Sequence, residues 1–382
     1  MINRLLLIAF IASAMCAGAQ NKPYITHVYD YVPAPGQFVN TLPAVTAGMT
    51  KDEVLKKVEQ SICGYEDDGE MVIAESMISL GSYGGYVVFG FDHPLVNVKG
   101  ERDLQILGNA SQASPTSRNG SSEPGIVMVA NDLNGPWYEL AGSEHGNAKT
   151  QHDFSITYYK PDEGKTPTPH PTIKAITDTT YVAWTCNSVD SLQAGYLYKN
   201  NVHLQSYWPL WIDGASLSFA GTKLRCNAVD LSGKGSNWTQ YFFDWGYVDN
   251  RPDFRYSGGT PTDVQNLGFD LDWAIDSVGN PVSLRSVKYI KVYCGVLQQC
   301  GWLGEVSTEV AGAIDLHPDA VPQSLAGDVN DDGTVDITDV NILINIILGN
   351  DQASKYGSRA DVNGDGTIDI ADVNAIINII LG

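Results

Sequence analysis

The C-terminal end of this chain of 382 residues contains one short segment twice. Residues 328–349 and 361–382 are identical at 17 of 22 aligned positions. Each copy begins with closely spaced aspartate, asparagine and glycine and continues into a run of valine, isoleucine and leucine. A repeat this close is one supersecondary unit used twice, because such a unit buries its apolar face only against a neighbour. The repeat therefore predicts a small C-terminal module of two packed units.

Oxygen-bearing side chains recur in each copy at the spacing of a calcium-binding loop. Calcium takes about six to eight oxygen ligands, which a twelve-residue loop supplies from positions 1, 3, 5, 7, 9 and 12, with glycine at position 6. Gly333 and Gly366 stand at position 6, and aspartate replaces the usual glutamate at position 12, which we expect to tune affinity. The sequence predicts two calcium ions, bound by Asp328, Asn330, Asp332, the Thr334 carbonyl, Asp336 and Asp339, and by Asp361, Asn363, Asp365, the Thr367 carbonyl, Asp369 and Asp372.

Each loop continues into an amphipathic helix, and the two apolar stripes are expected to bury against each other. No helix is predicted before the first loop, because residues 321–327 are few and contain Pro322 and Gly327. The module therefore consists of loop-plus-exit-helix halves of EF-hands. Ile342, Ile346 and Ile379 lie off the stripes and are either a docking face or extra core. The stripes are Val340, Leu343, Ile344 and Ile347, and Val373, Ile376, Ile377 and Ile380.

With these two loops and helices, residues 328–382 resemble a type I dockerin. The resemblance implies docking onto a cohesin-like domain of a scaffold or surface protein, and an association with polysaccharide-degrading enzymes or their binding modules. The sequence departs from the best-known members at loop positions 10 and 11, where they carry hydroxyl or basic recognition residues. These positions are Ile337 and Thr338 in the first loop and Ile370 and Ala371 in the second. The resemblance therefore does not imply which cohesin is bound.

The N-terminus has the pattern of an export signal. A short basic region ending at Arg4 precedes an apolar run, and Ala17 and Ala19 form an A-x-A cleavage site. Cys16 would permit a lipoprotein instead, but Met15 stands where that pattern places a small residue. We predict a signal peptide over residues 1–19 and a secreted or cell-surface protein. No later stretch is long enough to span a membrane, and the net charge of −21 disfavours nucleic acid and anionic membranes as partners.

The body, residues 20–315, is predicted to be mainly β. One helix is indicated after Thr50, with Glu53 completing a capping box and Val54, Leu55, Val58 and Ile62 on its apolar face. No other helix-length periodic segment separates the strand-like runs, so we predict an antiparallel β-sandwich or jelly roll. Residues 316–327 are predicted to be the linker to the module. The strand-like runs are 84–93, 125–130, 153–159, 216–219, 237–245 and 286–293.

Five cysteines follow the predicted cleavage site, so at least one is unpaired within the chain. Cys294 and Cys300 bracket a turn, and an exported protein can bridge them. Buried thiols are the alternative.

A glycan-binding site is predicted from clustered aromatic residues, because exposed rings stack on the apolar faces of sugars. The run around Pro209 is hard to bury as a strand and is the preferred platform. The alternative is that the rings fill the sandwich core. The predicted ligand-binding residues are Tyr207, Trp208, Trp211, Asp244, Trp245 and Tyr247.

No catalytic motif for a nucleophile, a zinc hydrolase or a nucleotide is present. A glycoside hydrolase needs two carboxylates roughly 5–10 Å apart, and the candidate pairs are Glu139 with Glu144, Asp270 with Asp272, and Glu305 with Glu309. The alternative is that these carboxylates are structural. His145 and His152 would pair only if a loop brought them together.

Residues 123–140 are similar to the strand–turn–strand of discoidin-like, galactose-binding-type jelly rolls, which concerns fold alone. The leading interpretation is a non-catalytic glycan-binding component that docks onto a cohesin-like partner. A glycoside hydrolase acting on polysaccharide is the first alternative, and a surface protein that binds another protein is the second.

Overall fold

A computed structural model of the chain describes residues 21–188, 192–253, 267–322 and 325–381. The predicted signal peptide lies outside these ranges. The described chain is mainly β, and its strands all pair antiparallel. The strands are β1 (His27–Val32), β2 (Tyr65–Asp67), β3 (Glu70–Val72), β4 (Ile78–Ser79), β5 (Tyr86–Gly90), β6 (Leu95–Val96), β7 (Leu104–Leu107), β8 (Ser111–Gln112), β9 (Asn119–Ser121), β10 (Gly125–Ala130), β11 (Tyr138–Leu140), β12 (Gln151–Tyr159), β13 (Ile176–Cys186), β14 (Ala194–Asn200), β15 (Ser216–Lys223), β16 (Ala228–Asp230), β17 (Trp238–Tyr241), β18 (Gly268–Phe269), β19 (Ala274–Ile275), β20 (Ser286–Val287), β21 (Tyr289–Cys294), β22 (Glu309–Val310) and β23 (Gly312–Asp315). The α-helices are α1 (Lys51–Ile62), α2 (Ile337–Ile347) and α3 (Ile370–Leu381).

A six-stranded sheet with the order β1-β5-β21-β10-β11-β19 forms the centre of the body. Side chains alternate between its two faces, as the pleat requires. One register row, Tyr31, Val87, Val292 and Val127, is fully buried and belongs to the main hydrophobic core. This burial explains why the sequence of β5, β10 and β21 is rich in β-branched residues.

A four-stranded sheet, β14-β13-β12-β15, packs against the central sheet. The Tyr83 ring joins the two, because it lies edge-on to Phe154 of β12 at 4.9 Å and to Tyr293 of β21 at 6.3 Å. The Tyr293 hydroxyl also accepts a hydrogen bond from the Thr222 backbone N–H of β15 at 3.0 Å. This layering of antiparallel sheets confirms the predicted mainly β, sandwich-type body.

Helix α1 begins and ends where the sequence predicts. The Thr50 hydroxyl accepts the Glu53 backbone N–H at 3.3 Å, and the Glu53 carboxylate accepts the Thr50 N–H at 2.8 Å. Val54, Val58 and Ile62 are buried against the core, whereas Leu55 is half-buried at its edge.

We expect Thr50→Ala to lower the free energy of unfolding of the body by about 1 kcal/mol, because it removes the oxygen that caps α1. Chemical denaturation followed by circular dichroism measures this. Thr50→Ser keeps the hydroxyl and serves as the control. An unchanged stability in the alanine variant would show that packing alone holds the helix.

The C-terminal module has its own small core, separate from that of the body. Val340 and Leu343 of α2 pack against Val373 and Ile376 of α3. The predicted stripes are therefore buried in their N-terminal halves only. Off the stripes, Ile342 and Ile346 are partly buried against this core, and Ile379 is 44 % exposed.

Some local predictions differ from the structure. Strand β17 ends at Tyr241 rather than continuing to residue 245, and β8 and β9 form a hairpin that is not among the predicted strand-like runs. The first residues of the predicted linker lie against the body, where the Leu316 N–H donates to the Asp103 carbonyl at 2.9 Å. Cys294 and Cys300 are buried free thiols, so the bridge considered between them is not formed.

Candidate functional site

The two C-terminal loops fold into the same hydrogen-bonded arrangement. In the first, Asp328 accepts the backbone N–H groups of Asp332 and Gly333 at 3.1 and 3.0 Å. In the second, Asp361 accepts the corresponding groups of Asp365 and Gly366 at 3.1 and 2.9 Å. Position 1 of each loop is thereby held at the centre of the turn, with its carboxylate directed inward.

Position 12 connects each loop to its helix. Asp339 accepts the N–H groups of Val329 and Asn330 at 2.8 and 3.2 Å, and its other oxygen accepts that of Asp336 at 3.0 Å. Asp372 makes the same three bonds in the second loop. Asp339 also completes a capping box with Asp336 at the start of α2. The short aspartate side chain thus reaches both the loop backbone and the helix terminus.

The charge of the loops fits a hard cation. Asp328, Asp339 and Asp372 are fully buried, and burial raises the pKa of Asp328 and of Asp339 above the usual range. Within the described part of the chain, no lysine, arginine or histidine pairs with a carboxylate of the second loop. Converging carboxylates with an all-oxygen donor set are what calcium requires, so the residues present fit that ion.

The first loop, unlike the second, rests on the body. Arg285 pairs with Asp328 at 3.4 Å and also contacts Asp331, and the Asn131 amide donates to the Asp332 carbonyl at 3.1 Å. Nothing in the described structure lies within 4 Å of the Cβ that a residue other than glycine would place at Gly366. The second loop therefore faces solvent.

Apolar side chains at equivalent positions of the two helices remain uncovered. Ile344 and Ile347 of α2 are 38 % and 41 % exposed, and Ile377 and Ile380 of α3 are 37 % and 42 % exposed. Burying these side chains needs a partner, because the two helices already contact each other through Val340, Leu343, Val373 and Ile376.

A groove runs over the face of the six-stranded sheet opposite the fully buried row. A single register row on this face crosses all six strands. With strands about 4.7–4.9 Å apart, the row is roughly 24 Å long. Two adjoining cavities of about 700 and 260 Å³ lie over it and share Trp137 and Lys291. The row consists of Asp30, Val88, Lys291, Met128, Glu139 and Ile275.

Polar groups are concentrated at the larger end of the groove. Glu139 accepts the Thr222 hydroxyl at 2.6 Å, and its other oxygen lies 3.0 Å from Nδ1 of His145. The His145 and His152 rings lie 4.3 Å apart, so the structure brings together the two histidines that the sequence left separate. The groove therefore offers a fixed carboxylate and two imidazoles.

The smaller end of the groove is aromatic. The Lys291 ammonium lies 4.3 Å from the centre of the Tyr86 ring, and burial lowers the pKa of Lys291. The Tyr86 hydroxyl donates to Asp30 at 2.8 Å. Trp137 is half-buried between the two ends, with its indole N–H donating to the Leu133 carbonyl at 3.3 Å.

The predicted aromatic platform is wrong for its two central members. Tyr207 and Trp208 are 0 % and 2 % exposed and belong to the main core. The Tyr207 ring packs edge-on against Tyr181 at 5.2 Å, and the Trp208 indole donates to the Ile212 carbonyl at 3.1 Å. The segment around Pro209 is buried although it is not a strand. Burial is possible because its polar groups have hydrogen-bond partners within the core.

The other predicted ligand-binding residues are dispersed. Tyr247 is buried against Phe243, and Trp211 stacks on Tyr31 at 5.7 Å at the edge of the core. Trp245 is 36 % exposed but packs on Trp273, and Asp244 is exposed and paired with Arg118 and Arg251. They do not form a common surface with Tyr207 and Trp208.

In each of the first two predicted carboxylate pairs, one carboxylate forms a structural ion pair instead of facing the other. Glu144 pairs with Arg225 at 2.5 Å rather than facing Glu139. Asp270 pairs with Arg102 at 2.7 Å and caps the 3₁₀ turn that contains Asp272. Glu305 and Glu309 both line an interior cavity of the body.

The sequence did not reveal that Trp137 and Lys291 line the same groove. Period-two alternation in β11 and β21 places Glu139 and Lys291 on the non-core side of each strand, which was the available signal. Which strands are neighbours was not readable from that alternation.

The C-terminal module, with two calcium-type loops and two helices packed through a small core, defines a calcium-binding docking domain. Residues 326–381 match the family model of the Dockerin type I domain, so this module is a dockerin. Domains of this type bind calcium and dock onto cohesins, and the chain is a calcium-binding component of a cohesin-docked assembly. The match does not extend to the body, and no curated protein matches the chain. No described helix is both long and apolar enough to cross a membrane.

Proposed function

We propose that this protein is a secreted, non-catalytic glycan-binding component that its dockerin attaches to a cohesin-like partner. The groove over the six-stranded sheet is the feature that carries the glycan half of the proposal. Dockerin-bearing proteins are generally extracellular or attached to the cell surface, where polysaccharide is accessible. The similarity of residues 123–140 to discoidin-like jelly rolls remains a prediction about fold.

The shape and lining of the groove suit an extended, hydroxyl-rich chain. Its roughly 24 Å row of side chains exceeds what a single small molecule needs. Trp137 presents an amphipathic ring surface of the kind that packs on the apolar face of a sugar. Glu139, His145 and Lys291 provide hydrogen-bonding groups of both signs beside it. This combination supports a polysaccharide segment as the ligand.

For docking, we propose that both loops bind calcium, giving two ions, and that the cohesin-like partner covers the exposed isoleucines of α2 and α3. Ile344 and Ile377 occupy equivalent positions in the repeat, as do Ile347 and Ile380. Each helix therefore presents the same apolar pair to a partner. The calcium loops fix the start of each helix and hence the orientation of these side chains.

A glycoside hydrolase is the second candidate, favoured by one observation. Glu139 lies in the groove, is held by His145 and Thr222, and shares the larger cavity with Asp153 and Asp276. A hydrolase needs a second carboxylate across the bound sugar. Asp153 and Asp276 are the two candidates for this second carboxylate. Release of sugar that Glu139→Gln abolishes would assign this activity.

We expect Trp137→Ala to weaken binding of the full chain to its polysaccharide by about thirtyfold, since truncating a central aromatic anchor costs about 2 kcal/mol. Affinity electrophoresis or titration calorimetry with calcium present, after a screen of plant and host polysaccharides, measures the change. Trp302→Ala is the matched control, because Trp302 is 41 % exposed and lies outside the groove.

The three outcomes are distinguishable. Binding that falls in Trp137→Ala alone supports the groove as the glycan site. Equal binding in both variants and the wild type would place the glycan elsewhere and reject the groove. If the folded wild-type chain bound no glycan in the screen, while a defined protein partner bound the body, the protein would be a surface adhesion component instead.

A further inference from the structure

Three acidic residues meet in the interior of the body, away from the groove and the dockerin. Oxygen atoms of Glu123, Asp249 and Glu309 all lie within 4.8 Å of one another. Asp249 and Glu309 are 3 % and 2 % exposed, while Glu123 keeps partial exposure. Together with Glu305, Glu123 and Glu309 line a cavity of about 380 Å³. The cluster is therefore buried but reachable through the cavity.

No positively charged partner of this cluster lies among the residues that the structure describes. Within the described part of the chain, none of the three carboxylates pairs with a lysine, arginine or histidine. Burial, followed by the charge of Glu309, holds the pKa of Glu123 and of Asp249 well above the usual range. Closely spaced, buried carboxylates without a described cationic partner are a place where a bound cation is favoured.

The oxygens are held in place by the surrounding backbone. One Asp249 oxygen accepts the N–H groups of Asn109 and Ala110, both at 2.7 Å, and the other accepts that of Glu309 at 3.0 Å. The Ser307 hydroxyl donates to Glu309 at 2.7 Å. These bonds fix the carboxylates close together in spite of their mutual repulsion, and each carboxylate retains lone pairs for a further ligand.

Glu305, which lines the same cavity, carries a buried oxygen that indicates a missing partner. Glu305 is 2 % exposed and lines the cavity with Glu123 and Glu309. Its Oε1 atom is buried and has no hydrogen-bond partner among the described residues. Buried polar atoms normally have partners, so an orphaned oxygen on a residue that lines the cavity with Glu123 and Glu309 requires an explanation. An ion with its bound water in the cavity supplies one.

We propose that Glu123, Asp249 and Glu309 form a divalent-cation site within the body, with calcium as the preferred ion. The donor set consists entirely of hard oxygens, which excludes a preference for zinc or copper. Calcium accepts irregular coordination and completes its shell with water, whereas magnesium demands near-ideal octahedral geometry. Glu305 then accepts a hydrogen bond from a water on the ion.

The test uses the full-length chain carrying Asp328→Ala and Asp361→Ala, which disable both dockerin loops. Calorimetric titration of this loop-disabled protein with calcium chloride is expected to show one remaining site. Adding Glu309→Gln should weaken that site by at least about tenfold. Adding Asp103→Asn instead should leave the affinity of that site unchanged. Asp103 is equally buried, but it accepts hydrogen bonds from the backbone N–H groups of Val98 and Leu271, outside the cluster.

Thermal melting gives a second readout, because the stability of the cluster can be compared with and without calcium. In EDTA, Glu309→Gln should raise the melting temperature of the loop-disabled protein, because it removes a buried charge from the cluster. In calcium, the loop-disabled protein without Glu309→Gln should have the higher melting temperature, because the variant does not bind the stabilising ion. If the loop-disabled protein bound no calcium and melted identically in calcium and EDTA, the cluster would have a structural role alone and the proposal would be rejected. Should Glu309→Gln fail to fold, Glu123→Gln at the more exposed ligand replaces it.

Discussion

Chelation of calcium is expected to unfold residues 328–381 while the body remains folded. In EDTA, the fully buried carboxylates of Asp328, Asp339 and Asp372 lose the cation that balances them. The core of the module cannot compensate, because only six buried side chains form it. At calcium concentrations 100 to 1,000 times Kd, each site adds roughly 2.7–4.1 kcal/mol. Two sites therefore contribute about as much as the whole stability of a small domain.

Calorimetry of the full chain should show two transitions in calcium and only that of the body in EDTA. Far-UV circular dichroism should lose the helical signal of α2 and α3, and binding to the cohesin-like partner should disappear with it. Asp372→Asn should reproduce the effect in the second loop. Asp351→Asn is the control, since Asp351 pairs with Lys355 and Tyr356 outside both loops. Superimposable melting curves with and without EDTA would show that the module folds without metal.

Replacing Trp208 with alanine is expected to lower the free energy of unfolding of the body by about 3–5 kcal/mol. Trp208 is 2 % exposed, and its removal leaves a large cavity in the main core. The loss also leaves the Ile212 carbonyl without the indole N–H that now donates to it. Such a change is a large fraction of the stability of a typical domain.

Guanidinium denaturation of the full chain in calcium measures this loss, with Trp302→Ala expected to change stability by no more than about 0.5 kcal/mol. Comparing the Trp208→Ala and Trp302→Ala variants also decides whether the aromatic run around Pro209 is a glycan-binding platform or part of the core. A Trp208→Ala protein with wild-type stability and no glycan affinity would restore the platform at that position. A destabilised protein that binds glycan normally below its melting temperature would place Trp208 in the core alone.

The dockerin and the start of α1 could be predicted from the sequence because their determinants are local. Twelve consecutive residues contain the predicted ligands of each loop, and the spacing of Asp328 and Asp339 is meaningful before any tertiary contact forms. The capping box of Thr50 and Glu53 is likewise complete within four residues. The mainly β character of the body followed from composition and period-two runs, which are also local properties.

Only the tertiary structure decided which residues of the body meet at the proposed glycan-binding surface. Trp208 and Trp137 have the same side chain, but tertiary packing places the first in the core and the second in the groove. Val88, Lys291 and Glu139 are far apart in sequence and become one row through the register of neighbouring strands. Glu123, Asp249 and Glu309 converge in the same way. Long-range pairing depends on the packing of the whole chain, so spacing along the sequence could identify the dockerin loops but neither the groove nor the buried carboxylate cluster.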